Sequence, residues 1–196
     1  MSYKSETFAK ELAWIRDKKK REYCANVLES LPDYFFSVAA SSTGKYHPDY
    51  ALGEGGLVRH TKAAVAIAKD LLGLEMYGRY TPAERDNILI TLILHDGLKH
   101  GRYGGRYTVF EHPKEIADFL AEGKEWKDFM SEHDFSQILC GLKSHMGQWN
   151  TNKQSSVVLP KPQTAFEKFV HQCDYLASRK YLEVNFDKID YTGDRV

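Results

Sequence analysis

The chain has 196 residues, 42% of them hydrophobic and 28% charged, which suits one domain with a sizeable buried core. Lys plus Arg number 27 and Asp plus Glu number 27, so the formal net charge is +0. That balance speaks against a general binder of long nucleic acid, which carries a basic surplus, and leaves room for a small basic pocket.

The N-terminal stretch is charged from Lys4 onward and lacks the apolar core of a signal peptide, and no stretch reaches the length of a membrane span. Phe8, Leu12 and Ile15 recur at helical spacing in a first segment. The basic run Lys18, Lys19, Lys20 and Arg21 follows and reads as a solvated helix face. Val27, Leu28 and Leu31 continue the helical pattern to Pro32. Residues 41–56 are loop-like, broken by Ser, Gly and Pro. A strongly apolar helix follows at about 57–72, with Val65, Ala68 and Leu72 on one stripe.

Thr81-Pro82 with Glu84 reads as a helix start, with Thr as cap, Pro at the first helical position and Glu at the third. That helix carries Ile88, Ile90, Leu92, Ile93 and Leu94, apolar almost all round, so it belongs at the centre of a bundle and ends near Gly97. A glycine-rich basic loop spans 101–107. Pro113 opens another helix with Ile116, Phe119 and Leu120 inward, and a further one covers about 135–145. Residues 148–163 form a long polar loop. Phe166, Phe169, Val170, Cys173 and Ala177 mark the last strong helix, and the tail from Val184 is ambiguous. The pattern predicts an all-α bundle, with a small hairpin that it does not position. Cys24, Cys140 and Cys173 are odd in number and form no C-x-x-C pair, so they read as reduced thiols of a cytoplasmic protein.

The chemistry sits in imidazoles and carboxylates on otherwise apolar segments. His95 and Asp96 end the most apolar helix, where an ionised Asp is costly unless paired or bound to a metal. His60 lies inside the 57–72 helix. Asp174 lies one turn after Val170 and therefore on the core side. A lone core histidine is most often structural, but four such residues on three apolar helices favour a shared metal.

These residues resemble the HD-domain phosphohydrolase superfamily. The resemblance rests on Gly55-Gly56-Leu57-Val58-Arg59-His60-Thr61, on Leu94-His95-Asp96-Gly97-Leu98-Lys99-His100-Gly101, and on Asp174 in His171-Gln172-Cys173-Asp174-Tyr175-Leu176-Ala177, and spans about 40–180. It implies an HD helical bundle, one domain over 1–196 with the N-terminal helices of 1–32 packed on it. It also implies His60, His95, Asp96 and Asp174 as metal ligands. Some branches add two histidines between the doublet and the last Asp for a second ion. His112 and His145 stand in that order, and Asp96 would then bridge. The second doublet, His133-Asp134, falls at a helix start and is assigned to capping and first-turn charge.

The implied activity is hydrolysis of a phosphomonoester or phosphodiester by metal-activated water. The ligand set suits Mn, Fe, Zn, Co or Ni without choosing among them. Lys99, three residues after Asp96, is the expected group for phosphate charge. Arg102 and Arg106 in the glycine-rich loop are further substrate candidates, as are His47 and Trp149. Tyr103 offers another ring for stacking, while His100 and His171 read as supporting residues. The expected partner is a small phosphorylated molecule: a nucleotide, cyclic nucleotide or short oligonucleotide. A di-iron oxygenase with the same ligands and a non-catalytic regulatory module are the alternatives. The motifs also resemble the HD part of a 3′–5′ exoribonuclease family, which usually adds an N-terminal OB-fold; this chain reads as too short and too helical to hold one, which speaks against processive RNA degradation.

Overall fold

A computed structural model describes residues 3–41 and 44–182, and the regular structure within them is helical. The order is α1 (Tyr3–Thr7), α2 (Ala9–Ala13), α3 (Lys18–Ser30), α4 (Gly56–Leu72), α5 (Pro82–Leu94), α6 (His112–Glu122), α7 (Glu132–Ser144) and α8 (Ala165–Ala177). The result is an all-α helical bundle, as the periodicity predicts. No helix in the described residues is long and apolar enough to cross a membrane.

The centre is α5. Thr81 Oγ1 accepts from the Glu84 backbone N–H, and the Glu84 carboxylate accepts from Thr81 N–H, closing a capping box with Pro82 just inside. Ile88, Ile90, Leu92, Ile93 and Leu94 are fully buried, each worth roughly 1.5–3 kcal/mol of removed apolar surface. Such all-round burial is met by α3, α4, α7 and α8, which all pack on α5. Helix α8 also lies along α4, and α6 along α7. The C-terminal end of α5 is thereby brought beside α4, α7 and α8.

Two local expectations change. The first apolar segment is two short helices, because Phe8 between them takes φ −109° and ψ 18°, outside helical geometry. Its stripe is nonetheless buried at Phe8, Leu12 and Ile15. In the basic run, Lys18 and Lys19 are exposed, but Lys20 is buried. Its Nζ lies 2.8 Å from Asn87 Oδ1 and 3.1 Å from Asp134 Oδ1, so a carboxylate and an amide replace its water.

The loop before α4 folds tightly onto that helix. A Cβ on Gly56 would stand 2.3 Å from the Ala51 carbonyl oxygen, so only glycine allows this approach. Arg59 then ties the loop down by donating to the carbonyls of Tyr50, Leu52 and Glu54. Among the described residues, strand pairing is limited to one antiparallel bridge between Thr151 and Val158, inside the polar loop. The ambiguous tail lies outside the described residues.

Candidate metal centre

Two groups of potential metal-holding side chains meet at the end of α5. His60 from α4, His95 from the end of α5 and Asp174 from α8 form one group. Asp96, just past α5, His112 from the start of α6 and His145 from the end of α7 form the other. In the first, His60 Nε2 lies 3.3 Å from His95 Nε2 and 3.0 Å from Asp174 Oδ1, and His95 Nε2 lies 3.5 Å from Asp174 Oδ1. In the second, His112 Nε2 lies 3.2 Å from His145 Nε2 and 3.0 Å from Asp96 Oδ1. Ligand atoms about 2.0–2.2 Å from one ion at tetrahedral or octahedral angles are separated by roughly 3–3.5 Å. Each group can coordinate a divalent ion on that measure.

Asp96 joins the groups. Its Oδ1 faces His112 and His145, at 3.0 and 3.9 Å, while its Oδ2 faces His95 and His60, at 3.4 and 3.7 Å. One carboxylate thus presents one oxygen to each pair of imidazoles.

Helix ends orient three of the rings. His95 Nδ1–H donates to the Leu92 carbonyl, His112 Nδ1–H to Val109 and His145 Nδ1–H to Leu142, each at 2.7 Å and three residues back. For His95 and His145 the acceptor is a last-turn carbonyl, which has no partner within its helix. The donated proton places a hydrogen on Nδ1 and turns Nε2, the atom that would offer its lone pair to an ion, toward the centre. His60 sits mid-helix, and its Nδ1 is buried without a partner. Without metal its proton therefore belongs on Nε2, donated to Asp174.

The electrostatics follow from burial and pairing. Burial alone would raise the Asp96 carboxyl, but Lys99, His95 and the hydrogen bond from His112 outweigh it and hold it well below the usual carboxylate range. Asp174 is likewise held low against its burial by hydrogen bonds from His60 and His95. Burial opposes protonation of His95, yet the two carboxylates lift it above its ordinary value. His145 is pushed down to about 3 by burial, with the charges of His95 and His112 behind it. The centre is thus ionised in its carboxylates and rich in acceptors, a donor set that suits a divalent cation.

A cleft of about 510 Å³ opens on these groups. Asp96, Lys99, His112, His145 and Asp174 line it, and so do His47 and Trp149, two of the residues singled out for substrate. His47 packs its ring edge-on against His60 at 5.2 Å, and burial first, then His60 and Lys99, push it down to about 3. Lys99 Nζ stands 2.6 Å from Asp96 Oδ2. The two arginines of the glycine-rich loop are elsewhere. Arg102 makes a fork to both oxygens of Glu122, at 2.6 and 2.7 Å, and Arg106 lies over the Tyr107 ring. Tyr103 is fully exposed. His100 stacks on Tyr34 and donates to the Gly105 carbonyl.

His171 supports the centre from behind. Its Nδ1–H donates to the His145 carbonyl at 2.6 Å, tying the end of α7 to α8. Gly147, at φ +62°, makes room for it, since a Cβ there would stand 2.1 Å from the His171 ring. At the second doublet, Ser131 Oγ accepts from the Asp134 N–H as the cap, and the Asp134 carboxylate takes Lys20 and Asn87. Sequence reasoning did not find Tyr46, Tyr175 and Arg179, which also line the cleft. The available signal was for Tyr175 alone, which follows Asp174 directly on α8. Comparison of the chain with protein-family models, with curated proteins and with solved structures gave no match.

Proposed function

We propose that residues 1–196 form a single HD-type unit, and that the chain is a metal-dependent phosphohydrolase acting on a phosphomonoester or phosphodiester of nucleotide-like character. The observation that carries this reading is the split carboxylate of Asp96, one oxygen toward His60 and His95, the other toward His112 and His145. In this reading His60, His95 and Asp174 hold one divalent ion, His112 and His145 a second, and Asp96 both. Bound there, divalent ions supply Lewis-acid polarisation of a phosphate oxygen and a lowered pKa for water.

The chain's own groups do the rest. The Nδ1 donations of His95, His112 and His145 keep their rings from turning, so the lone pairs stay aimed at one place. Lys99 lines the cleft with its ammonium on Asp96, where it can also meet a non-bridging phosphate oxygen as charge develops. His47, neutral at ordinary pH, lines the mouth without adding charge. Buried Cys24 and Cys173 with no disulfide support a reducing, cytoplasmic setting.

The test is metal reconstitution followed by a hydrolysis screen. Protein loaded with Mn, Fe, Zn, Co or Ni is assayed for bound metal. It is then offered p-nitrophenyl esters, nucleotides, cyclic nucleotides, dinucleoside polyphosphates and short RNA. The expected outcome is close to two ions per chain and cleavage of at least one ester class. Retention of no ion, or full loading with no ester cleaved by any metal form, overturns the reading. Oxygen consumption by an iron-loaded form that cleaves no ester identifies the oxygenase instead.

A further inference from the structure

Arg179, unlike Arg102 and Arg106, lines the cleft. Its guanidinium carbon lies 4.5 Å from the Tyr175 ring centre, 5.6 Å from Tyr46 and 5.7 Å from Trp149. Three rings therefore surround one cation, drawn by the negative faces of the aromatic systems. Among the described residues only Nε and one terminal nitrogen are engaged, both donating to Ser178 Oγ at 3.2 and 2.8 Å. Ser178 Oγ–H in turn donates to the Tyr175 carbonyl at 2.8 Å, which fixes the acceptor. Arg179 has no carboxylate partner among the described residues, in contrast to Arg102 with its fork to Glu122. Among the described residues, the other terminal nitrogen has no hydrogen-bond partner, and Arg179 lines the cleft.

The rings are open as well. Trp149 and Tyr175 stack with centres 5.7 Å apart and planes 13° from parallel. Trp149 remains 45% exposed and Tyr46 53%. The backbone holds the arrangement together, because Lys180 N–H donates to the Tyr46 carbonyl at 2.9 Å and so joins the 44–47 loop to the end of α8. Arg179 follows Asp174 by five residues, so this ring-and-guanidinium group adjoins the metal centre without belonging to it.

We propose that Tyr46, Trp149, Tyr175 and Arg179 form a recognition subsite for the part of the substrate that does not react. A planar heteroaromatic ring stacks on the open face of Trp149, and acceptor atoms on its edge take the unspent N–H groups of Arg179. Guanine offers such an acceptor pair at O6 and N7, which matches an arginine fork. The subsite rests on the phosphohydrolase reading for the other end of the substrate and adds the selectivity: a phosphate ester bearing a base is preferred over the same ester without one. Base stacking and one arginine fork together are worth a preference on the order of 10- to 100-fold.

The test measures binding, so that it stands apart from turnover. Mn-loaded full-length protein is titrated calorimetrically with the phosphonate analogues of GMP and of ribose 5-phosphate, in which a methylene replaces the ester oxygen. The GMP analogue is expected to bind at least tenfold tighter. Trp149→Ala and Arg179→Ala should each remove most of that preference while leaving metal content and affinity for the ribose analogue unchanged. Trp149→Phe, which keeps a ring, should retain much of it. Arg179→Lys should not, because an ammonium lacks the planar fork. Equal affinity for the two analogues, no binding of the GMP analogue, or a preference that survives both alanine variants overturns the subsite. Loss of the subsite with ester cleavage intact leaves the phosphohydrolase reading standing. A base preference in a protein that cleaves no ester keeps the subsite and rejects that reading.

Discussion

The chain contains the dipeptide His-Asp twice, and the two copies have opposite fates. His95-Asp96 follows α5 at its C-terminal end, fully enclosed, among potential metal ligands: three imidazoles turned inward through Nε2 and a second carboxylate. His133-Asp134 opens α7, with His133 exposed and Asp134 among donors: Lys20, Asn87 and the Ser131 hydroxyl. A helix C-terminus offers unpaired carbonyls, which take Nδ1–H and turn a histidine's lone pair outward; an N-terminus offers N–H groups, which suit a carboxylate. The dipeptide has no meaning of its own. The helix end beneath it decides whether it collects a cation or closes an ion pair.

The largest expected effect is at the first copy. Asp96→Ala should abolish hydrolysis and strip most of the bound metal, with helical circular dichroism largely intact. Elemental analysis decides it, and wild-type metal content together with wild-type activity would sink the assignment. Next is Lys99→Ala, expected to lower kcat/KM by roughly 10² with metal content unchanged, the usual scale for losing one electrostatic stabiliser in a dry site. A full rate, or loss of metal, removes Lys99 from the role of holding phosphate.

His171→Ala tests the support behind the centre. Releasing the His145 carbonyl should weaken one ion of the pair by roughly 10- to 100-fold, the usual scale for an outer partner of a ligand. The ion held by His60, His95 and Asp174 should stay, so a metal titration should split into two phases. A single unchanged phase removes His171 from any role in the centre.

The second copy should respond in stability alone. Asp134→Ala leaves Lys20 buried with only Asn87 as acceptor and should cost roughly 1–3 kcal/mol in chemical denaturation, with metal content at the wild-type level. Lost metal in this variant would erase the contrast between the doublets. The pH dependence is a smaller effect. Burial opposes ionisation of Asp134, but hydrogen bonds from Asn87, Ser131 and Lys20 prevail and lower its pKa. A carboxyl lowered in the folded state contributes stability that is present above its unfolded pKa of about 3.9 and is lost as pH falls through the folded value. The stability difference between wild type and Asp134→Asn should therefore be flat above about pH 5 and shrink below about pH 4. A difference that grows on acidification has the wrong sign.

Much of this was legible in the sequence where the signal is short-range. The capping box at Thr81 and Glu84, the all-round apolar run of α5 and the two doublets are each contained within a few residues. The bundle could be read from them, as could the burial of His60 and His95. Lys20 was misread although its place was written locally: with Cys24, Val27 and Leu31 it lies on the inner stripe of α3. A run of four basic residues suggested water for all of them. The partner that makes burial tolerable, Asp134, lies far along the chain. Arg179 was invisible for a different reason. Its three rings come from the 44–47 loop, the polar loop after α7 and α8, and no spacing rule joins segments that meet only in the folded bundle. Arg102 was overvalued because Glu122, one helix later, satisfies it.

The three imidazoles clamped to carbonyls three residues back carry a thermodynamic consequence. A free histidine side chain must be frozen in rotamer and tautomer before it can bind, and the incoming ligand normally meets that ordering cost. Here His95, His112 and His145 are already held by the backbone at the ends of α5 and α7 and the start of α6. Affinity at such a centre is set before loading, by the geometry of three helix ends. The tautomers of these rings in metal-free protein, read from imidazole nitrogen chemical shifts, should already be those of the loaded state.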